Sequence, residues 1–101
     1  MWINKYDFIK LGVDSYRAGN LISNRVNNPE IRNKLKSVLI PSKTRHSDKI
    51  VDCYKLITFI DLDDTIAYYE KCFEKGLNKN NHKRMMPVYL DYLKLKESLD
   101  D

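Results

Sequence analysis

The chain has 101 residues, 43% apolar and 32% charged, with three Gly, three Pro and a formal net charge of +4. That length supports one modest core and one domain, residues 1–101, and the composition excludes a linker or a low-complexity polymer. No apolar run approaches the ~18 residues of a membrane span, the first residues lack a signal-peptide pattern, and Cys53 and Cys72 alone make no disulfide framework; reduced cysteines and a cytoplasmic setting, of a source cell or an infected host, are expected.

Apolar positions recur mostly at helical spacing. Trp2, Tyr6, Ile9, Val13 and Tyr16 make one stripe, continued by Leu21, Ile22 and Val26. Asn4 or Asp7 caps this first helix and Asn27-Asn28 ends it. Within it, Gly12 and Gly19 each cost about 1 kcal/mol against Ala. Ser15, Gly19 and Ser23 recur every fourth residue. That spacing predicts either a close internal crossing or a self-association face at Gly12, Ser15 and Gly19, and through the latter a homodimer.

A second helix is predicted from Asn28 as N-cap, Pro29 at the first helical position and Glu30 at the positive end of the dipole, with Ile31, Leu35, Val38 and Leu39 on one face and Pro41 as its stop. Pro41 to Ser47 reads as a basic loop containing Lys43, Arg45 and His46. A third helix, capped by Ser47 or Asp48, takes Ile50, Val51, Tyr54, Ile57 and the Phe59-Ile60 pair; Leu56 to Ile60 is also β-branched and aromatic enough for a short strand. Asp63 or Asp64 caps a fourth helix with the stripe Ile66, Tyr69, Phe73 and Leu77, Lys75 in its last turn and Gly76 just past it. Leu77 to Met85 reads as a polar, basic loop, and Pro87 opens a fifth helix carrying Tyr89, Tyr92, Leu93 and Leu99, with Lys96 on the same side. The expected fold is all-α, a compact bundle of about five helices. Tyr outnumbers Phe and Trp together by seven to four. Tyrosine hydroxyls need partners when buried, so several rings are expected near the surface, with Tyr89 and Tyr92 in a contact surface.

Charge is unevenly laid out: +5 over residues 25–49, −4 over 61–74 and +5 over 75–96. The basic stretches Arg32-Lys34-Lys36-Lys43-Arg45-Lys49 and Lys75-Lys79-Lys83-Arg84 flank the acidic one. Brought onto one face they would attract phosphates or an acidic protein surface; alternatively they are simply solvated. Five Arg against 13 Lys argues against bidentate phosphate forks, and no nucleic-acid-binding motif is present.

The string Leu56-Ile57-Thr58-Phe59-Ile60-Asp61-Leu62-Asp63-Asp64-Thr65 resembles the first motif of haloacid-dehalogenase-like phosphatases, an apolar strand followed by Asp-x-Asp-x-Thr. The resemblance implies Asp61 as nucleophile, Asp63 as general acid/base and Mg²⁺ held by both. It covers about ten residues, and the 36 residues after Thr65 are too few for the family's remaining β/α units. The competing reading, which the rest of the chain favours, is an acidic helix start whose carboxylates cap free N–H groups. His46, Cys53, Cys72 and His82 match no zinc spacing. No Gly-rich phosphate loop or nucleophile elbow occurs.

The sequence therefore predicts no catalytic residue, metal or cofactor. It predicts a small binding protein whose contact residues come from Lys43, Arg45, His46, Lys79, His82, Lys83, Arg84, Tyr89 and Tyr92. A protein partner is the preferred expectation, with no membrane. Codon-biased usage of Lys, Asn, Ile and Tyr, with Ala18 and Ala67 the only alanines, suggests an A/T-rich genome. A phage- or mobile-element-encoded inhibitor of a host or defence protein fits that picture. The alternatives are an RNA- or DNA-binding protein using the two basic stretches and a structural subunit of a larger assembly.

Overall fold

The computed structural model describes residues 1–23 and 35–100. The chain is not an all-α bundle of five helices but a mixed α/β fold, with a three-stranded antiparallel sheet and four helices among the described residues. In chain order these are β1 (Trp2–Ile3), α1 (Lys5–Lys10), α2 (Ser15–Ser23), β2 (Lys36–His46), β3 (Lys49–Asp61), α3 (Leu62–Lys75) and α4 (Lys79–Asp100), with the strands side by side as β1-β3-β2.

The stripe from Trp2 onward does not make one helix. Trp2 and Ile3 pair with Asp61 and Ile60 of β3. Asn4 then opens α1 with a full capping box, its side chain accepting from Tyr6 N at 2.9 Å while Asp7 accepts from Asn4 N at 2.9 Å. Gly12, at φ 92°, takes the chain out of α1 in a conformation that favours glycine. Asp14 restarts it, accepting from Arg17 N at 2.9 Å. The helix start expected at Asn28, Pro29 and Glu30 lies outside the described residues. Its predicted continuation through Val38 and Leu39 is strand β2, and the predicted third helix is strand β3, so of the two readings of Leu56 to Ile60 the strand is the one observed.

β2 and β3 form a long hairpin, in register from Lys36↔Phe59 to His46↔Lys49. Ser47 and Asp48 make the turn, with only Ser47 at positive φ (57°), the pattern of a type II′ turn. A two-residue turn is closed by a hydrogen-bonded pair and such pairs alternate along the ladder. Pro41↔Tyr54 therefore falls on a non-hydrogen-bonded pair, and the missing proline N–H faces the open edge of β2, where a strand tolerates it. Pro41 is thus an edge-strand residue rather than a helix stop.

α3 begins where the strand ends. Asp61, not Asp63 or Asp64, is its N-cap and accepts from Asp64 N at 3.1 Å; Gly76, at φ 84°, ends it. Of the predicted loop Leu77 to Met85 only Leu77 and Asn78 lie outside a helix: Asn78 accepts from Asn81 N at 2.8 Å at the start of α4, which begins at Lys79 and runs on through Pro87. Pro87 removes the bond to the carbonyl of Lys83, but both residues are exposed, so water can satisfy that carbonyl.

The core lies between the helices and the root of the hairpin. Ile3, Phe8, Ala18, Leu21, Ile22, Ile60, Leu62, Ile66, Tyr69, Met85, Tyr92 and Leu95 fill it. Tyr92 stacks on Tyr69 at 5.5 Å and meets Phe8 edge-on at 5.9 Å, and its hydroxyl donates to the Leu21 carbonyl. Arg17 pairs with Asp91 across the base, its Nε donating at 3.0 Å. β3 enters this core only with its last residues, and the rest of the hairpin runs clear of it. At ~3.4 Å per residue, an 11-residue strand spans roughly 37 Å. The molecule is accordingly 54 Å long against 31 and 23 Å in the other directions.

Candidate functional site

The arm is a two-stranded ribbon, and strand alternation gives it two different faces. Ser37, Leu39, Pro41, Lys43 and Arg45 of β2 share one face with Thr58, Leu56, Tyr54, Asp52 and Ile50 of β3, by register. Ser37 Oγ and Thr58 Oγ1, 3.2 Å apart, confirm the assignment. On this Tyr54 face, Leu39 is 62% exposed, Leu56 61%, Tyr54 73% and Ile50 73%. Its charges nearly cancel, because Lys43 stands directly opposite Asp52, leaving Arg45 near the tip. A shallow groove at mid-arm is lined by Pro41, Ser42, Lys43, Asp52, Cys53 and Tyr54.

The other face carries Lys36, His46, Lys49 and Lys55 and no carboxylate, interleaved with Val38, Ile40 and Val51. Its apolar side chains are better covered, at 37–49% exposure. At the root this Lys55 face turns toward the N-terminal segment. The Lys36 ammonium sits 4.1 Å from the centre of the Trp2 ring, and Lys55 lies over the Tyr6 ring at 5.0 Å while donating to its hydroxyl. The Lys55 hydrogen bond holds the Tyr6 phenol below its ordinary range. Two of the four basic groups of this face are therefore already engaged, and Lys49 and His46 stand at the tip.

The predicted contact residues fall into separate places. Lys43, Arg45 and His46 lie on the outer half of the arm, Arg45 on one face and His46 on the other. Lys79, His82, Lys83 and Arg84 occupy the first turns of α4 in the base, where the His82 ring meets Phe73 edge-on at 5.5 Å. Tyr89 is half-buried against Tyr69 and Phe73, and burial, with Glu70 nearby, pushes its phenol up. Tyr92 is a core residue with no exposed surface to offer a partner. Among the described residues a side chain at Gly19 would meet nothing within 4 Å, and Gly19 lines a small cavity with Ile22, Ser23, Leu56, Ile57 and Thr58 where α2 meets the arm.

The acidic string is occupied structurally. Asp61 caps α3, and the Thr65 hydroxyl donates to the Asp61 carbonyl at 2.7 Å. Asp63 holds the Lys96 ammonium at 2.9 Å and the Met1 amine at 3.3 Å. The Lys96 hydrogen bond keeps the Asp63 carboxyl below its ordinary value. Among the described residues no group of three His, Cys, Asp or Glu is placed to hold a metal ion, and no helix is long and apolar enough to cross a membrane.

The spacing of Leu39, Ile50 and Tyr54 fits helical stripes, which hides their exposure, and Leu56 stands only at the start of the segment that reads as helix or strand. The signal that marks them is the β-branched content on both sides of a two-residue gap at Ser47-Asp48. No family model, curated protein or solved structure matches the chain.

Proposed function

We propose that this chain is a non-catalytic protein-binding module whose docking element is the hairpin arm. One observation carries the reading: of the 12 large hydrophobic side chains exposed among the described residues, seven lie on the arm, at Val38, Leu39, Ile40, Ile50, Val51, Tyr54 and Leu56. Four of them, Leu39, Ile50, Tyr54 and Leu56, share the Tyr54 face; clustered exposed apolar side chains mark an interaction site, and a protein surface matches them better than a phosphate backbone does. The same arm serves a modulator that blocks another protein or a subunit locked into an assembly; the two differ in whether the partner is a different chain or the same one.

A nucleic-acid reading draws on the all-cationic Lys55 face, since a two-stranded ribbon fits the DNA major groove. It leaves the Tyr54 face uncovered and has Lys36 and Lys55 already seated on rings. A photo-crosslinking residue separates the readings. With Tyr54→benzoylphenylalanine, irradiation in source cells should yield an adduct with protein, and the same residue at Tyr16, exposed on the base, should not. An adduct with nucleic acid, or none at position 54, contradicts the proposal.

A further inference from the structure

We infer that the protein covering the Tyr54 face is a second copy of this chain, the two arms stacked face to face; this rests on the arm being a protein-docking element. Three features support a like partner. The first is charge: the arm's excess of cations, Lys36, Lys49 and Lys55, lies on the opposite face, while Lys43 faces Asp52 within the Tyr54 face. An acidic partner would be drawn to the other side, whereas two Tyr54 faces meet without net repulsion. Arg45 is the one unmatched charge, and antiparallel arms keep the two arginines at opposite ends.

The second feature is area. Leu39, Leu56, Pro41 and Tyr54 are adjacent in the register, and Ile50 lies beyond the Lys43–Asp52 pair; at their observed exposures these side chains offer at most roughly 600 Å² per copy, given that a single aromatic side chain buries ~150–250 Å². Complete burial in both copies gives about 1,200 Å², which reaches the lower edge of the ~1,200–2,000 Å² range of stable interfaces. The third is shape. Two twisted ribbons pack ~10 Å apart as an aligned sandwich, and a two-fold pair is the commonest closed assembly. Pairing edge to edge through β2 is blunted by the outward-facing nitrogen of Pro41.

Sedimentation equilibrium of the purified full chain tests this. The wild type should sediment at twice the 12.0 kDa chain mass. Tyr54→Glu, and independently Leu39→Lys, should weaken association about thirtyfold or more, as loss of a central anchor does, with an unchanged far-ultraviolet spectrum. Tyr16→Glu, at an 82% exposed position of α2, should leave the dimer intact. A wild type that stays at single-chain mass overturns the inference, as do Tyr54→Glu and Leu39→Lys variants that still dimerise. A dimer lost only with Tyr16→Glu moves the interface to α2 and equally overturns it. A single-chain mass together with a photo-adduct from position 54 to a different protein ends the dimer but leaves the docking arm standing, whereas absence of any protein adduct ends both.

Discussion

The base and the arm use the same apolar residue types for opposite purposes. In the base, Phe8, Leu62, Tyr69, Tyr92 and Leu95 are sealed from water by four helices and the root of β3. In the arm, Leu39, Ile50, Tyr54 and Leu56 stand largely in solvent, on a ribbon that the described elements of the base meet only near its root. An isolated two-stranded hairpin is marginal in water. This one is anchored because β3 runs on into the core through Ile57 and Ile60 and then, through the Asp61 cap, into α3. The difference teaches that burial in the base supplies the folding free energy, while the arm's apolar surface contributes little to it and is open to the association proposed above.

Substitutions should separate the two regions sharply. Phe8→Ala in the base should lower the unfolding free energy by about 3–5 kcal/mol, the usual cost of a buried ring. Leu39→Ala in the arm, measured in dilute solution where copies are apart, should change it by less than ~0.5 kcal/mol. Chemical denaturation reads both, and a large loss from Leu39→Ala would mean that the arm is part of the core. Asp61→Ala, at the joint between arm and base, removes the cap of α3 and should cost about 1 kcal/mol, seen as a lower denaturation midpoint. Ser47→Gly should act in the other direction. Its φ of 57° strains a serine but not a glycine, so the variant should gain about 0.5–1 kcal/mol and slow amide exchange along β2 and β3 without altering the base.

The smallest effect concerns pH. Asp63 titrates below its unfolded value because Lys96 hydrogen-bonds its charged form. Its contribution is therefore present above the ordinary carboxylate range and is lost as pH falls through the depressed folded value. Lys96→Met should move the Asp63 carboxyl titration, followed by NMR, back up toward its ordinary value. An unmoved titration would show that the Met1 amine, not Lys96, holds the carboxylate.

What could be read in advance follows the same division. α3 was legible because Ile66 and Tyr69 make a one-sided stripe and Gly76 marks its end. The stripe of α4 was legible at Tyr92 but not at its start, because Asn78 to Arg84 is polar throughout and Pro87 mimics a first turn. The hairpin was misread for a physical reason: a ribbon with no buried face need not alternate apolar and polar residues. Val38-Leu39-Ile40 therefore runs through both faces, and Val38 and Leu39 also fit helical spacing with Ile31 and Leu35. Placing Leu39 and Tyr54 in a core concealed them as contact residues, while Lys43, Arg45 and His46 were singled out from charge alone and fall on the same arm.

The most direct check is an NMR spectrum of isotope-labelled protein in nuclease-treated extract of its source cells. Signals of the arm, Leu39 and Tyr54 among them, should shift or broaden relative to buffer while those of Phe8, Tyr69 and Leu95 stay in place, or, where the second copy already covers the arm, the same split between regions should appear on dilution in buffer. Changes confined to α2 or α4, or no difference between arm and base under either condition, would contradict an arm built for docking.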